Sequence, residues 1–126
     1  MIKSSSRFDF TESVQELLQY AQVSAQFSLD EVIREVARES RGKLRKASPG
    51  KKYPKGWAVD YETGRFRVGA TVYGKSGTYQ LAHLLEYGHA TRNGGRTKAI
   101  VHIEPVEQWA INEVQERFVR KMEEQL

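Results

Sequence analysis

The chain has no cysteine, so it has no disulfide framework and no thiolate metal site. That absence suits a cytoplasmic protein. No stretch approaches the roughly 18 apolar residues a membrane-spanning helix needs. The opening segment Met1-Ile2-Lys3-Ser4-Ser5-Ser6-Arg7 lacks an apolar core, so no signal peptide is visible and the segment reads as a flexible start. Proline is scarce, with 3 in 126 residues, and each one marks a boundary. Net charge is also small, at +4, which permits contact with nucleic acid without demanding it. There is no internal repeat and no low-complexity tract. The length favours a single domain, 1–126, with one real core.

What is there reads as helices around a hairpin. Phe10, Val14, Leu17, Leu18 and Ala21 have helical spacing, predicting a first helix from about Thr11. Ser28-Leu29-Asp30-Glu31 has the form of a capping box, which predicts a second helix from Leu29 to about Ala47. Its apolar stripe is Leu29, Val32, Ile33, Val36 and Ala37, continued by Ser40 and Leu44. Ser48-Pro49-Gly50 ends it. Trp57–Tyr61 and Arg65–Tyr73 alternate about a turn at Glu62-Thr63-Gly64, predicting a β-hairpin. Phe66, Val68, Ala70 and Val72 share its inner face; Arg65, Arg67 and Thr71 share the outer one. A short helix follows, with Thr78 as N-cap and Leu81, Leu84 and Leu85 on one face. Gly88 stands where a helix-ending residue takes positive φ at no steric cost. Ala99–Ile103 is a β-branched run and predicts a third strand. A last helix is expected from Pro105 to about Glu124, with Val106, Trp109, Ala110, Val114, Phe118 and Met122 as its stripe. The expected class is α+β: a small antiparallel sheet, the hairpin plus one further strand, packed against N-terminal helices and a long C-terminal helix.

Motifs for catalysis are weak. His83, Glu86 and His89, with His102 and Glu104, invite a metal reading, but Gly88 ends the helix before His89 and no HExxH pattern exists. Gly69-Ala70-Thr71-Val72-Tyr73-Gly74-Lys75-Ser76 satisfies the bare phosphate-loop pattern. Its would-be cradle is the alternating end of a hairpin strand, and Gly77 stops a helix from opening at Lys75. No nucleophile-elbow turn is present. The expectation is therefore no enzyme, no cofactor and no metal.

Charge is more informative. From Arg41 to Lys55 there are seven cations and no acid: Arg41, Lys43, Arg45, Lys46, Lys51, Lys52 and Lys55. One reading is a solvated helix end, where cations are favoured. The other is a face that meets phosphate or an acidic partner. Arg92, Arg96 and Lys98 lie in a glycine-containing loop with the same two readings. No aromatic ladder and no recognition-helix signature accompanies either cluster.

Leu81-Ala82-His83-Leu84-Leu85-Glu86-Tyr87-Gly88, a variable loop, and then Ile103-Glu104-Pro105-Val106 before a final amphipathic helix resembles the tail-completion, or head–tail joining, family of long-tailed bacteriophages and prophages. Leu81, Leu84, Leu85, Glu86, Tyr87, Gly88, Ile103 and Pro105 carry the likeness. Glu104 departs from it, since a basic or small residue is expected before the proline. The resemblance implies a structural protein of the virion neck or upper tail. It implies subunits that form a ring, commonly a hexamer, around the DNA passage, between head-connector and tail-tube proteins. The residues by themselves also allow a small basic nucleic-acid-binding domain without catalytic activity.

Overall fold

The computed structural model describes residues 11–64 and 67–125. Helix α1 spans Thr11–Ala47, a 3₁₀ turn spans Tyr53–Gly56, and strands β1 (Trp57–Gly64) and β2 (Arg67–Gly74) form the hairpin. Helix α2 spans Thr78–Tyr87 and helix α3 spans Ile103–Glu124. The class is α+β, with α1 packed on α3 and on the hairpin.

The two expected N-terminal helices are one helix of 37 residues. Val23–Phe27 holds no glycine or proline to interrupt it, so the helical ladder runs through. Ser28, read as a cap, lies mid-helix and buried, and its hydroxyl instead accepts a hydrogen bond from Gln125 Nε2 at 2.8 Å. The stripe itself holds: Val32, Val36, Ala37, Ser40 and Leu44 are buried, while Glu31, Arg34, Glu35, Arg38 and Glu39 face solvent. The helix stops at Ala47, before Ser48-Pro49, as expected.

Helix α3 runs antiparallel to α1, and Arg117 ties the two. It donates through Nη1 to Glu35 at 2.7 Å, through both Nη1 and Nη2 to Glu39, and through Nε to Glu113 of its own helix at 2.8 Å. The hydrogen bond from Arg117 holds the Glu39 carboxyl below its ordinary value. Lys121 adds a bond to Glu31 at 2.7 Å.

The hairpin is present, with Val68, Ala70 and Val72 half-buried and Thr71 exposed. Its turn is not at Glu62-Thr63-Gly64. Gly64 pairs with Arg67, so those three residues belong to β1. Arg65 and Phe66 lie outside the described residues, as do the expected flexible start and Phe10.

The third strand is absent: the sheet has two strands, and Ala99–Ile103 is not one of them. The amides of this run are used elsewhere. Ile100 donates to the Leu85 carbonyl at 2.7 Å, and His102 and Ile103 donate to the Glu86 carboxylate. Ile103 is the first residue of α3, so the helix starts two residues before Pro105. Pro105 still falls in the first turn, where its missing N–H has no helical partner to lose. The core at this end joins Leu44, Tyr53, Trp57 and Val106, with Val72, Ala82, Leu85 and Ile103 against them.

Candidate functional site

Helix α2 positions the residues that connect it to α3. Its N-cap is Gly77, not Thr78, and the Gln80 side chain accepts the Gly77 amide. Thr78 is buried instead and donates its hydroxyl to the Tyr53 carbonyl at 2.8 Å. The side chain crosses so close to Gly56 that a Cβ there would lie 1.8 Å from Thr78 Oγ1. The buried face of α2 is Thr78, Ala82, Leu85 and Glu86, four positions on one side of the helix. Leu81 and Leu84, read from spacing as part of the buried stripe, are 46% and 38% exposed.

Glu86 is the centre of the site. Its carboxylate is 5% exposed and caps the N-terminus of α3 from another helix. Oε1 accepts the amides of His102 at 2.8 Å and Ile103 at 3.0 Å, and Oε2 accepts that of Glu104 at 3.0 Å. Those are orphan donors of a helix start, and a carboxylate there also meets the positive end of the helix dipole. Burial pushes the Glu86 carboxyl up, but the three amides and His102 outweigh it, so it sits below its ordinary value.

His102 extends the clamp into the core. Its Nδ1 lies 2.7 Å from the Ile100 carbonyl and 3.1 Å from Glu86 Oε1. Both are acceptors, so Nδ1 carries a proton. Nε2 lies 2.7 Å from the Tyr53 hydroxyl, and the two share a hydrogen bond. Burial, with Glu86 nearby, pushes the Tyr53 phenol up to about 12. Tyr53, Trp57 and His102 meet edge to face, and Trp57 Nε1 donates to Ser48 Oγ at 2.9 Å. Sequence reasoning missed this network. The isolated pattern Ser48-Pro49-Gly50…Tyr53…Trp57 gives no sign of a histidine some 50 residues later.

Gly88 closes α2 at φ 73°, as expected. A side chain is excluded there twice, since a Cβ would also meet the Thr97 carbonyl oxygen at 2.6 Å. The loop after it is built rather than featureless. Ala90 bridges Arg96, Thr97 donates to the His89 carbonyl at 2.8 Å, and Thr91 takes the Gly95 carbonyl at 2.8 Å. Tyr87 is exposed, with its ring 4.9 Å from that of His83. Thus Leu85, Glu86, Gly88 and Ile103 converge on one joint, Pro105 sits in the helix turn that Glu86 caps, and Leu81, Leu84 and Tyr87 point away from it.

The cations divide. Lys43 is committed to Trp109, with Nζ 4.4 Å from the ring centroid. Arg45 donates to the Trp57 carbonyl at 3.3 Å. Lys46, Lys51, Lys52 and Lys55 are exposed and make no ion pair among the described residues. They gather where α1 ends and the 3₁₀ turn begins. Lys75 joins this end through its amide, which donates to the Gly56 carbonyl at 2.8 Å. Arg92, Arg96 and Lys98 are exposed in the loop after α2, separate from that cluster in sequence and element; Arg96 Nη2 reaches the Tyr87 carbonyl at 3.5 Å.

His102 touches Glu86, and His83, Glu86 and Glu104 line one cleft, but no group of three His, Asp or Glu among the described residues is arranged to hold a metal ion. His89 Nδ1 meets Thr97 Oγ1, and His102 is committed as above. Gly69–Gly74, the middle of the phosphate-loop pattern, is strand β2. Among the described residues no helix is long and apolar enough to cross a membrane. No family model, curated protein or solved structure matches the chain.

Proposed function

We propose that the chain is a non-enzymatic assembly subunit of the phage neck or upper tail, a head–tail joining or tail-completion protein that forms a ring around the DNA passage. One observation carries this reading. The two halves of the resemblance, Glu86-Tyr87-Gly88 and Ile103-Glu104-Pro105, are a single physical unit, because the carboxylate of the first caps the helix opened by the second. A motif split by a variable loop keeps its spacing-independent logic in such a clamp: the loop can change while the joint stays. The rigid joint leaves Leu81, Leu84 and Tyr87 exposed, as a subunit with neighbours requires. In this reading the ring is built from copies of this chain, a hexamer being expected, and it sits between connector and tail-tube proteins in the virion. Negative-stain imaging of the concentrated protein tests it: annular particles with a central opening are expected, and a field without closed particles contradicts it.

A second reading is a small basic domain that binds double-stranded DNA through its backbone. The uncommitted cluster Lys46, Lys51, Lys52 and Lys55 favours it. DNA binding by the isolated monomer, weakening steeply with salt, distinguishes it from the first.

A further inference from the structure

The end of the molecule built around α2 carries two sets of charge without ion-pair partners among the described residues. One lies in a cleft of about 530 Å³ between α2 and the start of α3, lined by His83, Glu86, Tyr87, Ile103, Glu104 and Glu107. Both oxygens of Glu86 are taken by amides. Glu104 and Glu107 are exposed and make no ion pair among the described residues. One wall is aromatic: the His83 and Tyr87 rings lie 4.9 Å apart, and Tyr87 is 66% exposed. Carboxylates beside an exposed tyrosine ring suit a lysine, whose ammonium is drawn to both and whose apolar stem the ring covers. The chain already pairs a lysine with an aromatic ring in this way, at Lys43 and Trp109.

The other set is Lys46, Lys51, Lys52 and Lys55, at the end of α1 and in the 3₁₀ turn and its approach. The two sets lie at different ends of α2. The 3₁₀ turn meets the start of that helix, since Thr78 donates to the Tyr53 carbonyl and Lys75 to that of Gly56. The cleft instead takes His83, Glu86 and Tyr87 from its last turns, and Tyr87 is about 13 Å along the helix from Thr78. The residues outside the described set are too far along the chain to cover this end. Ala82 and Leu85 pack against the core that holds Leu44, which is about 50 Å along α1 from Thr11. Met1–Phe10, ten residues, span at most about 36 Å. Residues 65 and 66 follow Gly64, which Gln26 holds, and Leu126 follows Gln125, which Ser28 holds. Gln26 and Ser28 are at least about 24 Å along α1 from Leu44.

We infer that the lysine cluster of one copy docks in the Glu104–Glu107 cleft of the next. Charge complementarity selects a second copy as the occupant: each chain presents both halves of the pair, on separate surfaces, and pairs neither within the described residues. The contact joins two different surfaces, so it is heterologous and propagates until a ring closes. The inference rests on the reading of the chain as a self-assembling subunit and names the surfaces that do it.

Charge exchange between copies tests it. One variant carries Glu104→Lys and Glu107→Lys, the other Lys51→Glu, Lys52→Glu and Lys55→Glu. Glu104→Gln with Glu107→Gln is a second cleft variant, which removes charge without placing lysines at a helix start. Association is followed by light scattering, with thermal unfolding confirming that each variant is folded. Each reversed variant alone is expected to associate at least about tenfold more weakly than the wild type. The wild type is expected to weaken between about 0.1 M and about 1 M salt, as the screening length falls from about 10 Å to about 3 Å. An equimolar mixture of the two reversed variants is expected to regain association, because each cleft then meets opposite charge on its neighbour. Arg92→Glu, in the loop that joins the cleft's two walls, is expected to associate like the wild type. If the wild type assembles but the mixture stays apart, or Arg92→Glu loses as much as the cluster variant, the inference is overturned while the self-assembly reading stands. A cluster variant that loses DNA binding yet assembles unchanged overturns it in the same way. A wild type that does not associate overturns both.

Discussion

Glu86 commits both carboxylate oxygens to backbone amides at the start of α3, and its removal leaves one buried and two partly buried donors without that partner. Glu86→Ala is expected to cost roughly 3 kcal/mol, because hydrogen bonds to a charged group are lost and the buried donor is orphaned. Thermal unfolding checks it, with a midpoint lower by about 10 °C expected. The pH dependence follows from the direction of the shift. The folded carboxyl lies below its unfolded value near 4.3, so its contribution is present above that pH and is lost as pH falls through the folded value. Glu86→Ala should flatten stability in that acid window. Tyr53 acts at the other extreme. Its phenol is raised to about 12, so its contribution is intact below about pH 10 and is lost as pH rises towards the folded value. Tyr53→Phe removes the bond to His102 and should cost about 1 kcal/mol at neutral pH. It should also abolish that alkaline loss, as read from chemical unfolding across pH.

Among the elements, those set by a long period were legible and those set by a distant partner were not. The stripe from Val32 to Leu44, the stripe of α3, the hairpin alternation and the Gly88 stop all stand in the structure. Val23–Phe27 reads either as a continuation or as a break, and the start expected at Leu29 was a local cap signal overruled by continuity, since nothing from Val23 to Phe27 disfavours a helix. Ala25→Pro tests that continuity: in an unbroken helix it should cost about 3 kcal/mol or more, measured by urea unfolding, whereas a loop would tolerate it. The run at Ala99–Ile103 has strand composition, but a strand needs an edge to pair with, and its amides go to Leu85 and Glu86. The hydrophobic spacing of α2 pointed to Leu81 and Leu84, while the residue that anchors the helix is the polar Glu86. No periodicity marks a buried carboxylate whose partners lie beyond a loop. The candidate site was therefore legible as a motif, and its mechanism, the capping of one helix by another, was not.

Across the described molecule, exposed positive charge is concentrated at one end. Lys46, Lys51, Lys52 and Lys55, which make no ion pair among the described residues, collect where α1 ends and the 3₁₀ turn begins. Reversing Lys51, Lys52 and Lys55 to glutamate should leave folding unchanged and weaken DNA retention or assembly; the yield of complete particles checks this, and an unchanged yield contradicts a role for that end. The proposed function is that of a subunit that assembles with itself. The most direct measurement is mass by light scattering coupled to size exclusion across a protein concentration series. A self-assembling subunit gives a discrete species several times the 14.5 kDa of the monomer, growing with concentration and settling at one closed number. A strict monomer throughout the series contradicts it.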